Sequence, residues 1–446
     1  MRRKSLVSLA VLTMVLLLTS TAFAAGPTKT LRYCLWDQNQ APAYQTILDN
    51  FSKENPGVNV QLELLPWGDY WTKLTTEVAG GDAPDLITMF VVQFKTLQSK
   101  GVFVPINDFI KRDKVDMTKY NASAVDTFKI GGKMYGLPKD FDTQAIFYNK
   151  DLLQKAGYSQ YPTDLTWDPV TGGSYVKFLQ SLTVDKNGKH PNESGFDPRD
   201  IVQYGLLPVD RTFFPIDGPV ATFAAANGGK IYNPNTGALT FDERKTLESL
   251  KYWWNMFNKW YVCPPISVIA TTGAEAMFYS QIGATWVNGP WMTLAINDKA
   301  GFKWGIARNP KGPIGQSVTR ANSLVDVIYQ GSKYKEEAWK LLKYIATKPG
   351  QDILGETGTV IPAYSDSSPK YLDYYKGKGL DASIFVDAYH GNAVFPLNLV
   401  GYAKAEDIAQ RNFALAFDGL GDVSMDSAVA KILQEANPDL IKANAK

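Results

Sequence analysis

The N-terminal part of the chain alternates between short apolar runs and segments with helical spacing. Leu31 to Trp36 predicts a strand, and the apolar positions that follow recur at helical spacing as far as Asn55. A strand over Val58 to Leu65, a helix over Trp67 to Val78 and a strand over Pro84 to Phe90 complete the series. This order predicts a doubly wound α/β fold, in which ligands bind at loops beyond the carboxyl ends of the strands.

The remainder of the chain mixes strand and helix signals without a repeat or a low-complexity linker. It predicts helices over Leu247 to Trp260, Lys335 to Ala346 and Glu406 to Ala436, and strands over Ala284 to Val287 and Leu324 to Tyr329. A chain of 446 residues is long enough for two domains. Because the signals interleave, we expect these domains to exchange segments more than once.

A polar, acidic segment joins two apolar runs between Gly132 and Leu152. One extended run ends at Pro138, a second covers Phe141 to Tyr148, and Asn149 opens a helix. The connection, Lys139 to Thr143, holds carboxylates on either side of an aromatic ring. Because an aromatic face can cover a sugar ring while a carboxylate accepts hydrogen bonds from hydroxyls, this pairing favours sugar recognition.

Two other segments place aromatic residues at strand-to-helix turns. In Pro66-Trp67-Gly68-Asp69-Tyr70-Trp71, either Asp69 caps a helix and the aromatics pack in the core, or Trp67 or Tyr70 contacts a ligand. In Asn288-Gly289-Pro290-Trp291, stacking of Trp291 on a ligand is favoured over core packing. For Arg211, Phe213 and Phe214, the residues leave open whether they line a cleft or lie on the surface.

The first 24 residues predict a cleavable export signal. A basic stretch, Arg2-Arg3-Lys4, precedes the apolar run Leu6 to Leu18, and Ala22-Phe23-Ala24 has the small-residue pattern of a cleavage site. No cysteine stands at that site, so we expect no lipid anchor. The protein is therefore predicted to be periplasmic or secreted, with a mature chain that starts near Ala25.

The charge balance argues against nucleic acid as a partner. Removing the three basic residues of the export signal from the 46 in the chain leaves 43 against 44 acidic residues, and phosphate binding requires a basic surface. The cysteines, Cys34 and Cys263, are far apart in the sequence. Pairing is possible in an exported protein, but their predicted placement in different domains favours two buried free thiols.

Signals for catalysis are poor. The two histidines, His190 and His390, have no metal-ligand partner at a useful spacing, and no nucleophile elbow, P-loop or zinc-protease motif occurs. We expect no metal and no cofactor. A pair of carboxylates for glycoside hydrolysis stays open, because 44 acidic residues could supply one.

Taken together, the motifs resemble a known family. The segments LRYCLWDQNQ, PWGDYWTKL, GGDAPDL, YGLPKDFDTQAIFYNKDLL and WVNGPW follow an export signal in this order. The combination is similar to the family 1 extracellular solute-binding proteins of carbohydrate ABC importers, the maltodextrin-binding-like class. The resemblance implies a non-enzymatic, monomeric receptor that closes around a mono- or oligosaccharide and delivers it to the permease subunits of the importer.

The resemblance also implies a domain arrangement. Two α/β lobes, with doubly wound sheets joined by a three-segment hinge, would comprise residues 25–140 with 326–366 and residues 141–325 with 367–446. The three crossings would fall at Lys139 to Thr143, near Asn322 to Asp326, and near Ala363 to Pro369.

Site residues are carried over unevenly from this resemblance. It implies ligand contacts by Asn39 and Gln40 after the first strand, by Asp142 at the hinge and by Trp291. Positions that match less well are Phe90, Tyr402, Trp67 and Tyr70. Two alternatives to a sugar receptor remain at this point: a secreted glycosidase or lyase, and a receptor of the same fold for a peptide or polyol.

Overall fold

Strands and helices cover most of the described chain. The computed structural model describes residues 28–209, 215–397, 399–418 and 422–444. The strands are β1 (Lys29–Leu35), β2 (Val58–Leu64), β3 (Leu86–Met89), β4 (Lys129–Ile130), β5 (Lys133–Met134), β6 (Gly136–Thr143), β7 (Ala145–Asn149), β8 (Val184–Asp185), β9 (Ile201–Leu207), β10 (Gly283–Asn288), β11 (Trp304–Ala307), β12 (Thr319–Ile328), β13 (Ile361–Pro362) and β14 (Ala393–Val394).

The α-helices pack around these strands. They are α1 (Ala41–Glu54), α2 (Trp67–Gly80), α3 (Val91–Gln98), α4 (Asn107–Arg112), α5 (Ala122–Thr127), α6 (Lys150–Lys155), α7 (Gly173–Leu182), α8 (Ala221–Ala226), α9 (Arg244–Asn258), α10 (Ile266–Thr272), α11 (Ala274–Tyr279), α12 (Thr293–Lys299), α13 (Lys335–Ala346), α14 (Lys348–Glu356), α15 (Ser368–Lys376), α16 (Ser383–His390), α17 (Tyr402–Ala416) and α18 (Met425–Asn444). Among the helices described, none is long and apolar enough to cross a membrane.

The first sheet contains the strands predicted at the start of the chain. Its order is β13-β6-β12-β3-β1-β2, with β14 paired to β12. Strand β1 runs parallel to β2 and β3, whereas β12 is antiparallel to β3 and β6. The parallel part places the carboxyl ends of β1, β2 and β3 at one edge, where the loops that follow them meet.

The second sheet has the order β11-β7-β10-β9-β8. The chain leaves the first sheet at Thr143 and enters the second at Ala145, because β7 pairs with β10 and β11 rather than with the first sheet. Strand β12 begins at Thr319 and is longer than the predicted Leu324 to Tyr329. Its additional residues include Arg320 and Asn322. Because these side chains are polar, the apolar pattern of the sequence did not include them in the predicted strand.

Two other expectations have clear outcomes. Cys34 and Cys263 are both buried free thiols, as predicted. The single helix predicted over Glu406 to Ala436 is wrong, because α17 ends at Ala416 and α18 begins at Met425. The sequence between them contains Gly419 and Gly421, and glycine weakens a helix interior.

Helix α6 begins directly after Asn149, the residue predicted to open it. The side-chain oxygen of Asn149 accepts hydrogen bonds from the backbone N–H groups of Asp151 and Leu152 at 2.9 and 3.0 Å. These are N–H groups that have no partner within a helix. This cap fixes the direction of the chain just after it has entered the second sheet.

Replacing Asn149 with alanine is expected to lower the free energy of unfolding by about 1 kcal/mol, because both N–H groups lose their acceptor. Chemical denaturation of the wild type and the variant measures the difference. Asn149→Ser keeps a capping oxygen and is expected to lose less. Equal losses in the two variants would show that the cap is not what Asn149 contributes.

Candidate functional site

A large cavity lies between the two sheets and is the candidate functional site. Its volume is about 480 Å³, which is within the range of small-molecule sites. It is lined by Trp36, Asp37, Gln40, Trp67, Gly68, Phe90, Asp140, Phe141, Asp142, Gln144, Val209, Ile269, Ala270, Gly273, Asn288, Pro290, Trp291, Met292, Arg320, Asn322, Leu324 and Val360.

An aromatic wall forms the side of the cavity next to the first sheet. Trp36 follows β1, Trp67 begins α2 just after β2, and Phe90 follows β3. The ring centroids of Trp36 and Trp67 are 4.9 Å apart, and those of Trp67 and Phe90 are 5.8 Å apart, in edge-to-face arrangements. The three parallel strands therefore each contribute one ring at the same sheet edge.

Trp291 contributes the aromatic surface next to the second sheet. It lies in a short 3₁₀ helix, Pro290–Met292, directly after β10. A Cβ atom on Gly289 would lie only 1.8 Å from the Trp291 ring. The ring can fold back over the turn only because residue 289 has no side chain.

Three aspartates line the cavity between these aromatic surfaces. Asp37 accepts hydrogen bonds from Nε2 of Gln40 at 2.8 Å and from the backbone N–H of Asn39 at 2.9 Å. Asp140 accepts the backbone N–H of Leu324 at 3.1 Å. Burial raises the pKa of Asp37, and it raises the pKa of Asp140 to about 7.

Arg320 holds the third aspartate in place. Its Nη1 donates to Asp142 at 2.9 Å and its Nε donates to Asp217 at 2.7 Å. Asn322, opposite Asp142 in the β6–β12 pair, donates from Nδ2 to the other Asp142 oxygen at 3.2 Å. Arg320 also lies 5.4 Å from the centre of the Phe90 ring. Burial raises the pKa of Asp142, and the Arg320 charge opposes that shift.

A second buried carboxylate supports this network from α17. Glu406 accepts the backbone N–H groups of Ile216 and Asp217 at 3.1 and 2.8 Å, and the hydroxyl of Tyr402 at 2.9 Å. Burial, with repulsion from Asp217, raises the pKa of Glu406 to about 8. The network therefore runs from the cavity wall to a helix near the C-terminus.

The family is decided by a sequence comparison. The model of the bacterial extracellular solute-binding proteins matches residues 46–375 of the chain. The chain belongs to this family.

Relatives and solved structures agree with that membership. An arabinooligosaccharide-binding protein of Bacillus subtilis is 27% identical in an alignment of 437 positions that covers 93% of each chain. A lactose-binding protein of Rhizobium radiobacter is 25% identical over 365 residues, covering 79% of this chain and 78% of the relative. An ABC substrate-binding protein from Listeria monocytogenes in complex with cycloalternan superimposes with a TM-score of 0.80 at 25% identity, over 92% of this chain and 99% of that one. The predicted two-lobed α/β fold is confirmed.

Five of the predicted site residues of this solute-binding protein lie together around the cavity. They are Gln40, Trp67, Phe90, Asp142 and Trp291. Phe141 lines the cavity and also packs on Tyr389, with their ring centroids 4.5 Å apart. Arg211, Phe213 and Phe214 fall outside the described residues.

The other three predicted site residues, Asn39, Tyr70 and Tyr402, do not line the cavity. Tyr70 is buried beneath the aromatic wall, where its hydroxyl donates to the carbonyl of Thr88 at 2.6 Å. Tyr402 is fully buried and its hydroxyl is bound to Glu406. Asn39 stays beside the cavity and contacts Asp37 only through its backbone N–H.

Five residues that line the cavity were not among the predicted site residues, although Asp140 belongs to the acidic connection that favours sugar recognition: Trp36, Asp37, Asp140, Arg320 and Asn322. Trp36 and Asp37 come directly after the first predicted strand, a position that could have indicated them. Arg320 and Asn322 gave no such signal, because their strand was predicted to begin later. In the described part of the chain, no group of three or more His, Cys, Asp and Glu side chains is arranged to hold a metal ion.

Glu406 is expected to make the stability of this solute-binding protein depend on pH. The folded state keeps the Glu406 proton up to about pH 8, whereas the unfolded chain releases it near the ordinary value of 4.5. Between these values the folded state binds more protons, so the free energy of unfolding falls as pH rises.

Glu406→Gln removes this titration and should flatten the fall of Tm between about pH 5 and about pH 8. Thermal unfolding across that interval measures both slopes. Glu243→Gln, at an exposed position, is the matched control and should keep the wild-type slope. Parallel curves for Glu406→Gln and wild type would contradict the raised pKa.

Proposed function

We propose that the protein is an extracytoplasmic carbohydrate-binding receptor that closes around a sugar and delivers it to the permease of an ABC importer. One observation carries this proposal: aromatic rings on two sides of one cavity enclose buried carboxylates and amides. Sugars have apolar ring faces and hydroxyl edges, so they match such a surface. The sugars named for its relatives are consistent with this class of ligand.

Closure follows from the distribution of these contacts. Trp67 and Phe90 belong to loops of the first sheet, whereas Asn288 and Trp291 follow a strand of the second sheet. A sugar that touches both groups binds better when the lobes are closed, and it shifts the population toward the closed state. Asp142, Gln40 and Asn322 would then pair with hydroxyls that have lost water.

The location of the receptor, its partner and its lobe boundaries belong to the same proposal. The export signal in residues 1–24 would bring it to the periplasm or the exterior, without a lipid anchor at the predicted cleavage site. There it would act as a monomer with the permease subunits, moving its lobes about crossings near Lys139 to Thr143, Asn322 to Asp326 and Ala363 to Pro369. The proposed lobes are residues 25–140 with 326–366, and residues 141–325 with 367–446.

A carbohydrate-active enzyme is the second candidate, since three aspartates share the cavity. The arrangement favours binding, because Asp142 is tied to Arg320 and Asn322 rather than poised to transfer a proton. Incubation with maltose, maltotriose, lactose, cellobiose and arabinobiose separates the two candidates. A receptor gives saturable binding, followed by the change in tryptophan fluorescence, and leaves the sugar intact. Release of new reducing ends would overturn the receptor proposal.

Trp291→Ala is expected to weaken binding of the tightest sugar in that panel by about tenfold or more, because one stacking face is lost. Gly289→Ala should also weaken it, since the new methyl group displaces the Trp291 ring. Isothermal titration calorimetry measures both dissociation constants.

Gly301→Ala is the matched control for the glycine variant. A Cβ atom at Gly301 meets nothing within 4 Å, so sugar affinity should stay at the wild-type value. Unchanged affinity in both Trp291→Ala and Gly289→Ala would remove Trp291 from the proposed site.

A further inference from the structure

The cavity contains more carboxyl groups than basic side chains among its described lining residues. Asp37, Asp140 and Asp142 all line it, and Arg320 is the only basic side chain among its described lining residues. The Arg320 guanidinium is already bound to Asp142 and to Asp217. The Arg320 charge is therefore shared between Asp142 and Asp217 before any ligand enters.

Lys139 acts on this balance only from behind the cavity, where its charge opposes the rise in the pKa of Asp37 and Asp140 that burial causes. It is fully buried in β6 behind the cavity, where its Nζ donates to the hydroxyls of Tyr33 at 2.9 Å and Thr88 at 3.2 Å. It also lies 3.6 Å from a carboxylate oxygen of Asp326. A ligand in the cavity would meet the Asp140 side of this strand, not the Lys139 ammonium, which is absent from the lining.

Two amide oxygens at the cavity add to the demand for donors. Oε1 of Gln40 and Oδ1 of Asn322 are buried and have no hydrogen-bond partner. Their NH₂ groups donate to Asp37 and Asp142. Rotating either amide would turn its oxygen toward a carboxylate, so the partners fix the orientation. A buried acceptor without a donor is costly, and a ligand donor reaches these oxygens only if the side chains that cover them move on binding.

These observations restrict the charge that a ligand can carry. A carboxylate or phosphate would lose its water inside a cavity that offers three aspartates and no uncommitted basic side chain among the described lining residues. An ammonium group would meet the opposite situation, because aspartate oxygens accept its three N–H donors and complement its charge.

We propose that the cavity selects carbohydrates by charge: it takes amine-bearing sugars more tightly than neutral ones and excludes carboxylated and phosphorylated ones. The proposal rests on the function proposed above and specifies its substrate class. Asp37 and Asp140 are its main determinants, because Asp142 already has a share of the Arg320 charge.

The test compares sugars that differ at a single substituent. The tightest-binding neutral sugar of the panel is compared with its 6-amino-6-deoxy derivative and its 6-carboxylate derivative by isothermal titration calorimetry. The carboxylate is expected to bind about 100-fold more weakly than the amine, with the neutral parent between them. Affinities within about threefold of one another for the amine and the carboxylate would overturn the charge selection.

The variant Asp140→Asn tests whether an aspartate of the cavity causes the charge selection. Asp140→Asn keeps the shape and an acceptor for the Leu324 N–H, and it should lower the amine-to-carboxylate affinity ratio by about tenfold. Asp164→Asn, which removes an exposed charge outside the cavity, is the matched control and should keep the wild-type ratio. A purely structural role for Asp140 would weaken all three sugars alike and leave the ratio unchanged, which would overturn the assignment.

The two proposals fail in different ways. If no neutral sugar of the panel binds, the receptor function itself is refuted. If a neutral sugar binds and its carboxylate binds equally well, only the charge selection is refuted.

Discussion

The buried contact between Arg320 and Asp142 is the interaction on which the rest of the site depends. It joins β12 to β6, the two long strands that pair beside the cavity, and through Asp217 it reaches Glu406 on α17. A buried ion pair gains little net stability, since both charges lose water, but removing one partner costs about 3–5 kcal/mol. The network therefore acts mainly by fixing geometry: Asn322 and Phe90 also lie against it.

This constraint fixes the polar groups of β6 and β12 beside the aromatic surfaces. The rings come from loops at the ends of strands, where Trp36, Trp67 and Trp291 can cover the faces of a ligand. The carboxylates come from or lie against paired strands, where neighbouring backbone and side chains hold their positions. A ligand that fits both parts must present apolar faces and donor edges in a fixed relation. Helix α17 is part of the same network, because it carries Glu406, which accepts a hydrogen bond from Asp217. The helix also packs on α3.

Much of the fold could be predicted from sequence, because β1, α1, β2, α2 and β3 follow simple periodicities. The site was predictable only in part. Trp67 and Tyr70 lie on one helix, and the sequence could not decide which of them faces the cavity. The structure places Trp67 at the cavity and Tyr70 one turn below it, against Thr88. Tyr402 presents a related difficulty: its partner Glu406 is four residues along the same helix, and burial of that pair depends on tertiary packing.

Strand β6 shows why a site of this kind breaks the local rules of sequence reading. All eight of its residues are buried, yet the strand contains Lys139, Asp140 and Asp142. Leu324 pairs with Asp140 and Val325 with Pro138, so Lys139 falls at a register shift between β6 and β12. The two aspartates line the cavity, and Lys139 does not. Lys139 is satisfied within the first sheet by Tyr33, Thr88 and Asp326, whereas Asp140 is left at the cavity with a raised pKa. A carboxyl group in the position of Asp140 adds nothing to the stability of a core. Its presence there is explained if a hydrogen-bond donor on the ligand completes its surroundings.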